Sequence, residues 1–129
     1  MAAPNVVSIG TLTLKTDTFS LSTTTATSVL SNAASSGKVF RVLLLRVVNI
    51  DGSNSVNVTA GLFNQANTAG GTASGTQTKL LDAKGLGTNT NLDIINRDSP
   101  VYLEEDTSLG VTASAADDVS VIVTYEEIS

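Results

Sequence analysis

The acid–base chemistry open to this 129-residue sequence rests on twelve carboxylates and seven lysines and arginines, because histidine and cysteine are both absent. Most of the carboxylates fall in one stretch, DSPVYLEEDTSLGVTASAADDVSVIVTYEEIS. Paired carboxylates hydrolyse glycosides, which makes Glu104, Glu105, Asp106, Glu126 and Glu127 the candidates for such work. Neighbours on a strand point to opposite faces, however, and there is no tryptophan to stack a sugar. A calcium site could draw on Asp98, Glu104, Asp106, Asp117 and Asp118, since calcium takes six to eight oxygens from flexible loops. Acidic clusters on anionic proteins commonly only solubilise, so turn and edge charges are the preferred reading. A serine or threonine nucleophile needs a base, and Lys38, Lys79 and Lys84 stand in no Ser-x-x-Lys arrangement. The GLG at Gly85–Gly87 is too short for a phosphate-binding loop and opens no helix. The NVT sequon at Asn57 lies inside an apparent strand. No catalytic residue, metal site or cofactor is expected.

Those side chains must be carried by one small domain spanning residues 1–129, long enough to bury roughly two-thirds of the surface its unfolded chain exposes. The composition is 41% hydrophobic but only 4% aromatic, so the core must come from Val, Leu, Ile and Ala. A net charge of -5 repels phosphate backbones and argues against a nucleic-acid partner. The most apolar run, VFRVLLLRVV, is broken by Arg41 and Arg46 and falls far short of the ~20 residues of a membrane-spanning helix. No membrane association is expected. The start, MAAPNVVSIG, lacks the basic and apolar regions of a secretory signal, so export by that route is not expected.

Almost every periodic segment has period two, is rich in Val, Ile and Thr and is bounded by Gly, Asn, Asp or Ser, which signals short strands in a sandwich or barrel. Val56, Val58, Ala60 and Leu62 share one face of a strand, with Asn57 and Thr59 on the other. Val119, Val121, Val123 and Tyr125 form a second such face, and Leu109, Val111 and Ala113 a third. ASAADD between these last two reads as the turn of a hairpin. Val7 and Ile9 share one parity and Leu12 and Leu14 the other, which predicts a bulge or bend near Gly10. The strand VFRVLLLRVVN is apolar on both sides, with Phe40, Val42, Leu44 and Val48 opposite Val39, Leu43, Leu45 and Val47. Its second face calls for cover by a loop of the same chain or by a neighbouring subunit. Asp51-Gly52 just after it signals a hairpin, without the spacing of an EF-hand. The segment 64–78 is a long Gly-rich loop without large apolar side chains, expected to be disordered or ordered by a partner.

Two blocks, NAASSGKVFRVLLLRVVNIDGSNSVNVTAGLF and RDSPVYLEEDTSLGVTASAADDVSVIVTYEEIS, carry a family resemblance. Together they resemble small cysteine-free β-sandwich virion proteins of tailed bacteriophages of the cyanobacterial and marine type. The expected fold is thus all-β, an antiparallel, jelly-roll-like sandwich of about eight strands. The resemblance implies a capsid decoration, or cement, protein on the outer capsid surface of the virion. Its partner would be the major capsid protein, and it would assemble as a homo-oligomer, a trimer. Contacts are expected from the extended arm at residues 1–8, with Ala2, Pro4 and Asn5, and from Gln65, Asn67 and Gln77 of the long loop. Arg41 and Arg46 are candidates to pair with acidic capsid groups, with a same-chain role as strand-edge charges the equal alternative, and Leu43 and Leu45 are candidates to line a subunit interface. Two other classes compete: a tail, neck or fibre component with a glycan-binding role, and a carbohydrate-active enzyme with two facing carboxylates.

Overall fold

Each alternating run becomes a strand. The computed structural model describes residues 10–129, so the arm with Ala2, Pro4 and Asn5, and the parity shift from Val7 and Ile9, lie outside the described residues. The strands are β1 Leu12–Leu21, β2 Thr27–Asn32, β3 Val39–Asn49, β4 Val56–Phe63, β5 Gln77–Leu86, β6 Asn91–Ile95, β7 Val101–Leu103, β8 Thr107–Ala113 and β9 Val119–Ile128. All pairings are antiparallel. One sheet runs β1-β9-β3-β6, with β7 continuing β6 along the same side of β3; the other runs β2-β8-β4-β5. Counting β6 and β7 as one interrupted strand gives the two-sheet winding of an eight-stranded jelly roll.

The core lies between the sheets. Val56, Val58 and Ala60 of β4, Leu109, Val111 and Ala113 of β8, and Val119, Val121, Val123 and Tyr125 of β9 are all buried in it, as their alternation requires. β3 departs from its simple alternation. Its register against β9 shifts between Val42 and Leu44, so one extra residue is inserted and the side chains beyond it change face. Phe40, Val42, Leu45 and Val47 therefore share the core face. Arg41, Leu44, Arg46 and Val48 share the outer one. Leu45, expected at a subunit interface beside Leu43, is 0% exposed inside the sandwich.

The turns also differ from expectation. Asp51-Gly52 and ASAADD close no hairpins, because β3 and β9 belong to one sheet and β4 and β8 to the other. Both are arches that carry the chain between sheets. A type I′ hairpin turn needs positive φ at both central residues. Neither Asp51 nor Gly52 has it. Asp51 instead turns the chain through its side chain, accepting the Ser53 N–H at 2.7 Å. The ASAADD arch uses a left-handed residue, Asp117, and so do further arches: Ser35 and Gly37 before β3, Asn89 before β6 and Asp106 before β8. Asparagine and aspartate tolerate that conformation better than most side chains.

Two buried asparagines join the sheets at opposite ends of β3. Asn32 donates to the carbonyls of Lys38 at 2.9 Å and Leu103 at 3.0 Å, and accepts from the Ser36 hydroxyl. Asn49 donates to the carbonyls of Asn54, Leu86 and Gly87 and accepts the Asp51 N–H.

The long loop folds onto its own chain. It spans residues 64–76, since β5 already begins at Gln77. The Ser28 N–H donates to Gly71 O and the Gly70 N–H to Ser28 O, which lays the loop along the edge of β2. Beneath it, Phe63 and Ala73 are buried on the outer face of the second sheet against Gly110.

Candidate functional site

Of the carboxylates that could do chemistry, those of Glu105, Asp106, Glu126 and Glu127 are engaged in holding the fold. Glu104, Glu105 and Asp106 form the turn between β7 and β8. Glu104 O accepts from the Thr107 hydroxyl at 2.6 Å, Glu105 accepts the Gly37 N–H, and Asp106 accepts the Ala66 N–H at 3.0 Å. Glu126 and Glu127 point to opposite faces of β9, as adjacent strand residues must. Glu126 pairs with Arg41 on the outer face. Glu127, at the open end between the sheets, pairs with Lys15 and Lys38. Hydrogen bonding from Lys15, then from Lys38, holds its carboxyl below the ordinary range. The same contact raises the Lys15 ammonium. Burial, with Asp17 close by, pushes the Tyr125 phenol up to about 12, and that phenol donates to Asp17 at 3.2 Å. The proposed calcium ligands Asp98, Glu104, Asp106, Asp117 and Asp118 are not brought together: among the described residues no three carboxylates group around a possible ion.

The surface with the most unusual character is the outer face of the β1-β9-β3-β6 sheet. Three large apolar side chains stand exposed on it: Leu12 at 49%, Leu14 at 68% and Tyr102 at 51%. An open groove of about 450 Å³ crosses this face, lined by Leu14, Leu43, Leu44 and Thr124, with Asn96 and Arg97 at its rim. The β3 bulge creates it by turning both Leu43 and Leu44 outward. Two charges on the same face, Arg41 and Arg46, are neutralised within the chain. Arg46 forks onto Asp93 at 2.6 and 3.1 Å, raising its own guanidinium and lowering the Asp93 carboxyl. Tyr102, then Glu126, stabilises the charged form of Arg41. Both arginines thus have partners in their own chain.

The expected loop contacts do not converge on this face. Gln65 donates to Ser74 at 2.8 Å, and Asn67 bonds Ser74 and the Ser108 hydroxyl. Gln77 opens β5. These residues fasten the loop to the second sheet. A polar open groove of about 630 Å³ lies between loop and β2, lined by residues such as Ser31, Asn67 and Thr72. Of the residues lining the apolar face, only Leu43 stood out in the sequence; Leu12, Leu14, Leu44 and Tyr102 did not, since their exposure follows from strand order and from a bulge.

Fold and surface together define an all-β jelly-roll protein with an exposed apolar sheet face on which Arg41 and Arg46 are paired within the chain. No family model matches the chain, and no curated protein sequence matches it. Among solved structures, it is similar to a chain in the crystal structure of the T13 IBDV viral particle, with a TM-score of 0.41 and 9% identity. That alignment covers 94% of this chain but 32% of the other, so this chain spans about a third of its neighbour.

Proposed function

We propose that this chain is a bacteriophage virion structural protein, a capsid decoration protein that binds the outer capsid surface and reinforces contacts between major capsid subunits. The observation that carries the reading is the outer face of the β1-β9-β3-β6 sheet, where Leu12, Leu14, Leu43, Leu44 and Tyr102 gather while Arg41 and Arg46 are neutralised in place. An exposed apolar surface of this kind is the usual mark of a protein–protein contact. The carboxylates serve turns and ion pairs, which supports a binding module over an enzyme. The two resembling blocks contain β3, β4, β7, β8 and β9, five of the strands that build this molecule. Each copy would act through binding energy alone, stabilising the assembled shell because it binds the assembled state.

The test is quantitative mass spectrometry of purified virions, with rebinding of Leu44→Asp and Leu14→Asp variants to capsids stripped of the protein. A copy number that is a simple ratio to the major capsid protein, with binding lost in both variants, is the expected result. A few copies per particle would instead favour a tail, neck or fibre role. That second reading has one observation of its own, the polar groove beside β2, whose hydroxyls and amides suit a glycan. Retention on a glycan array, abolished by Asn67→Ala, would support it.

A further inference from the structure

A β-sandwich has exposed sheet edges, and each is a template for pairing with another chain unless something blunts it. Three of the edges here are blunted. β5 is broken by register shifts opposite Ala60, carries Lys79, Asp82 and Lys84, and bends at Ala83, where φ is 46°. β2 is six residues long, shifts register after Ser28, and is covered by the 64–76 loop. The β6–β7 edge consists of five and three residues interrupted before Pro100. β1 differs. Its ten residues run in unbroken register from Leu12 opposite Ile128 to Leu21 opposite Val119, with neither proline nor glycine, and its far side has no partner strand among the described residues.

The backbone phase of that edge follows from its start. Thr11 and Ser129 exchange both N–H···O bonds, and Leu21 O accepts from Asp117 N on the same side. Alternation then turns the N–H and C=O of Thr13, Lys15, Asp17 and Phe19 toward β9, and those of Leu12, Leu14, Thr16 and Thr18 toward the free edge. The two charges of the strand, Lys15 and Asp17, flank Thr16 symmetrically.

We infer that β1 is a self-pairing edge: two copies of this chain dimerise by antiparallel addition of β1 to β1, with the two-fold axis at Thr16. In this register the two Thr16 residues exchange both backbone hydrogen bonds, and Leu14 does so with Thr18 of the second copy. Lys15 then stands opposite the second copy's Asp17, twice, at the non-hydrogen-bonded positions where facing side chains come closest. A lone charge on an edge strand repels its own kind, whereas opposite charges at equal distances from the axis select a second copy in this one register. Fusing the sheets makes their outer apolar faces continuous, with Leu12 and Leu14 of both copies near the join. A closed two-fold contact is a different assembly from the trimer implied by the family resemblance.

The test is the mass of the full chain in solution across the micromolar range, by sedimentation, with amide exchange of β1. The expected result is a dimer in which the amides of Leu14, Thr16 and Thr18 are protected. Asp17→Lys weakens it roughly tenfold, since two attractive pairs become repulsive. Thr16→Pro abolishes it while leaving the monomer folded, because the amide removed faces away from β9. A monomer or trimer of the unaltered chain, or a dimer indifferent to Thr16→Pro, overturns the inference; neither result bears on whether the chain binds a capsid.

Discussion

Asn32 and Asn49 do at residue scale what no alternation pattern announces. Each is fully buried, and each spends its amide on carbonyls of the opposite sheet or of the arch beside it. Removing one leaves several buried carbonyls without donors. Asn49→Ala is therefore expected to cost about 2 to 3 kcal/mol in a denaturant titration, more than a surface substitution. Among the acidic residues, Glu127 is held in the fold by two lysines. Lys15 and Lys38 hold its carboxyl below the ordinary 4.5, so the folded state binds that proton less readily than the unfolded chain does. Such a group contributes fully above its unfolded-state value and loses its contribution as pH falls through the lower folded-state value. Glu127→Gln should thus be less stable than the unaltered chain near neutral pH, with the gap closing on acidification below pH 4.5. Thermal melts of both proteins at several pH values measure this, and a gap that persists in acid would mean that packing, not charge, holds the site.

At the scale of elements, legibility depended on whether a strand was regular. β4, β8 and β9 keep an even alternation over their core residues, and their buried faces could be read directly. β3 could not, because the extra residue near Leu43 leaves no mark in a run where every neighbour is aliphatic. Thus Leu45 looked like a contact residue but lies in the core, while Leu44, placed by alternation on the face of Phe40 and Val42, turns outward. The turn residues were legible as turns but not as arches, since Asp-Gly fixes a reversal and not the sheet to which the next strand belongs. The 64–76 loop was misread for another reason: its anchor is the last residue of β4. Phe63 faces outward and lies over Gly110, where a Cβ would come within 2.5 Å of its ring. Gly110→Ala is accordingly expected to destabilise the protein by about 1 to 3 kcal/mol through overpacking. Phe63→Ala should release the loop instead, raising amide exchange at Gly70, Gly71 and Ala73 while amides of β3 and β9 stay protected. Equal loss of protection in both sheets would mean that the loop is not a separable unit.

For the molecule as a whole, the all-β class was readable but the order of strands was not, because few of the pairings are local. Apart from the β4–β5 pair, strands that follow one another and pair directly are absent among the described residues; β1 instead pairs with β9 across nearly the whole sequence. β9 lies between β1 and β3 and connects them, and it brings Val119, Val121, Val123 and Tyr125 into the core. The first sheet therefore cannot close until the last strand in sequence arrives. Non-local closure of this kind makes folding slow, on the order of milliseconds to seconds. It also makes the fold all-or-none with respect to β9. A chain ending at Ala116 should lack fixed tertiary structure, since β1 loses its only paired strand and the core faces of β3 and β8 lose their cover. Adding a peptide of residues 117–129 should restore the native near-ultraviolet dichroism of Tyr102, because the missing strand fits a slot whose other walls are specified. A truncated chain that stayed folded without the peptide would show that the second sheet with its loop is stable alone, and that β9 completes the molecule without organising it.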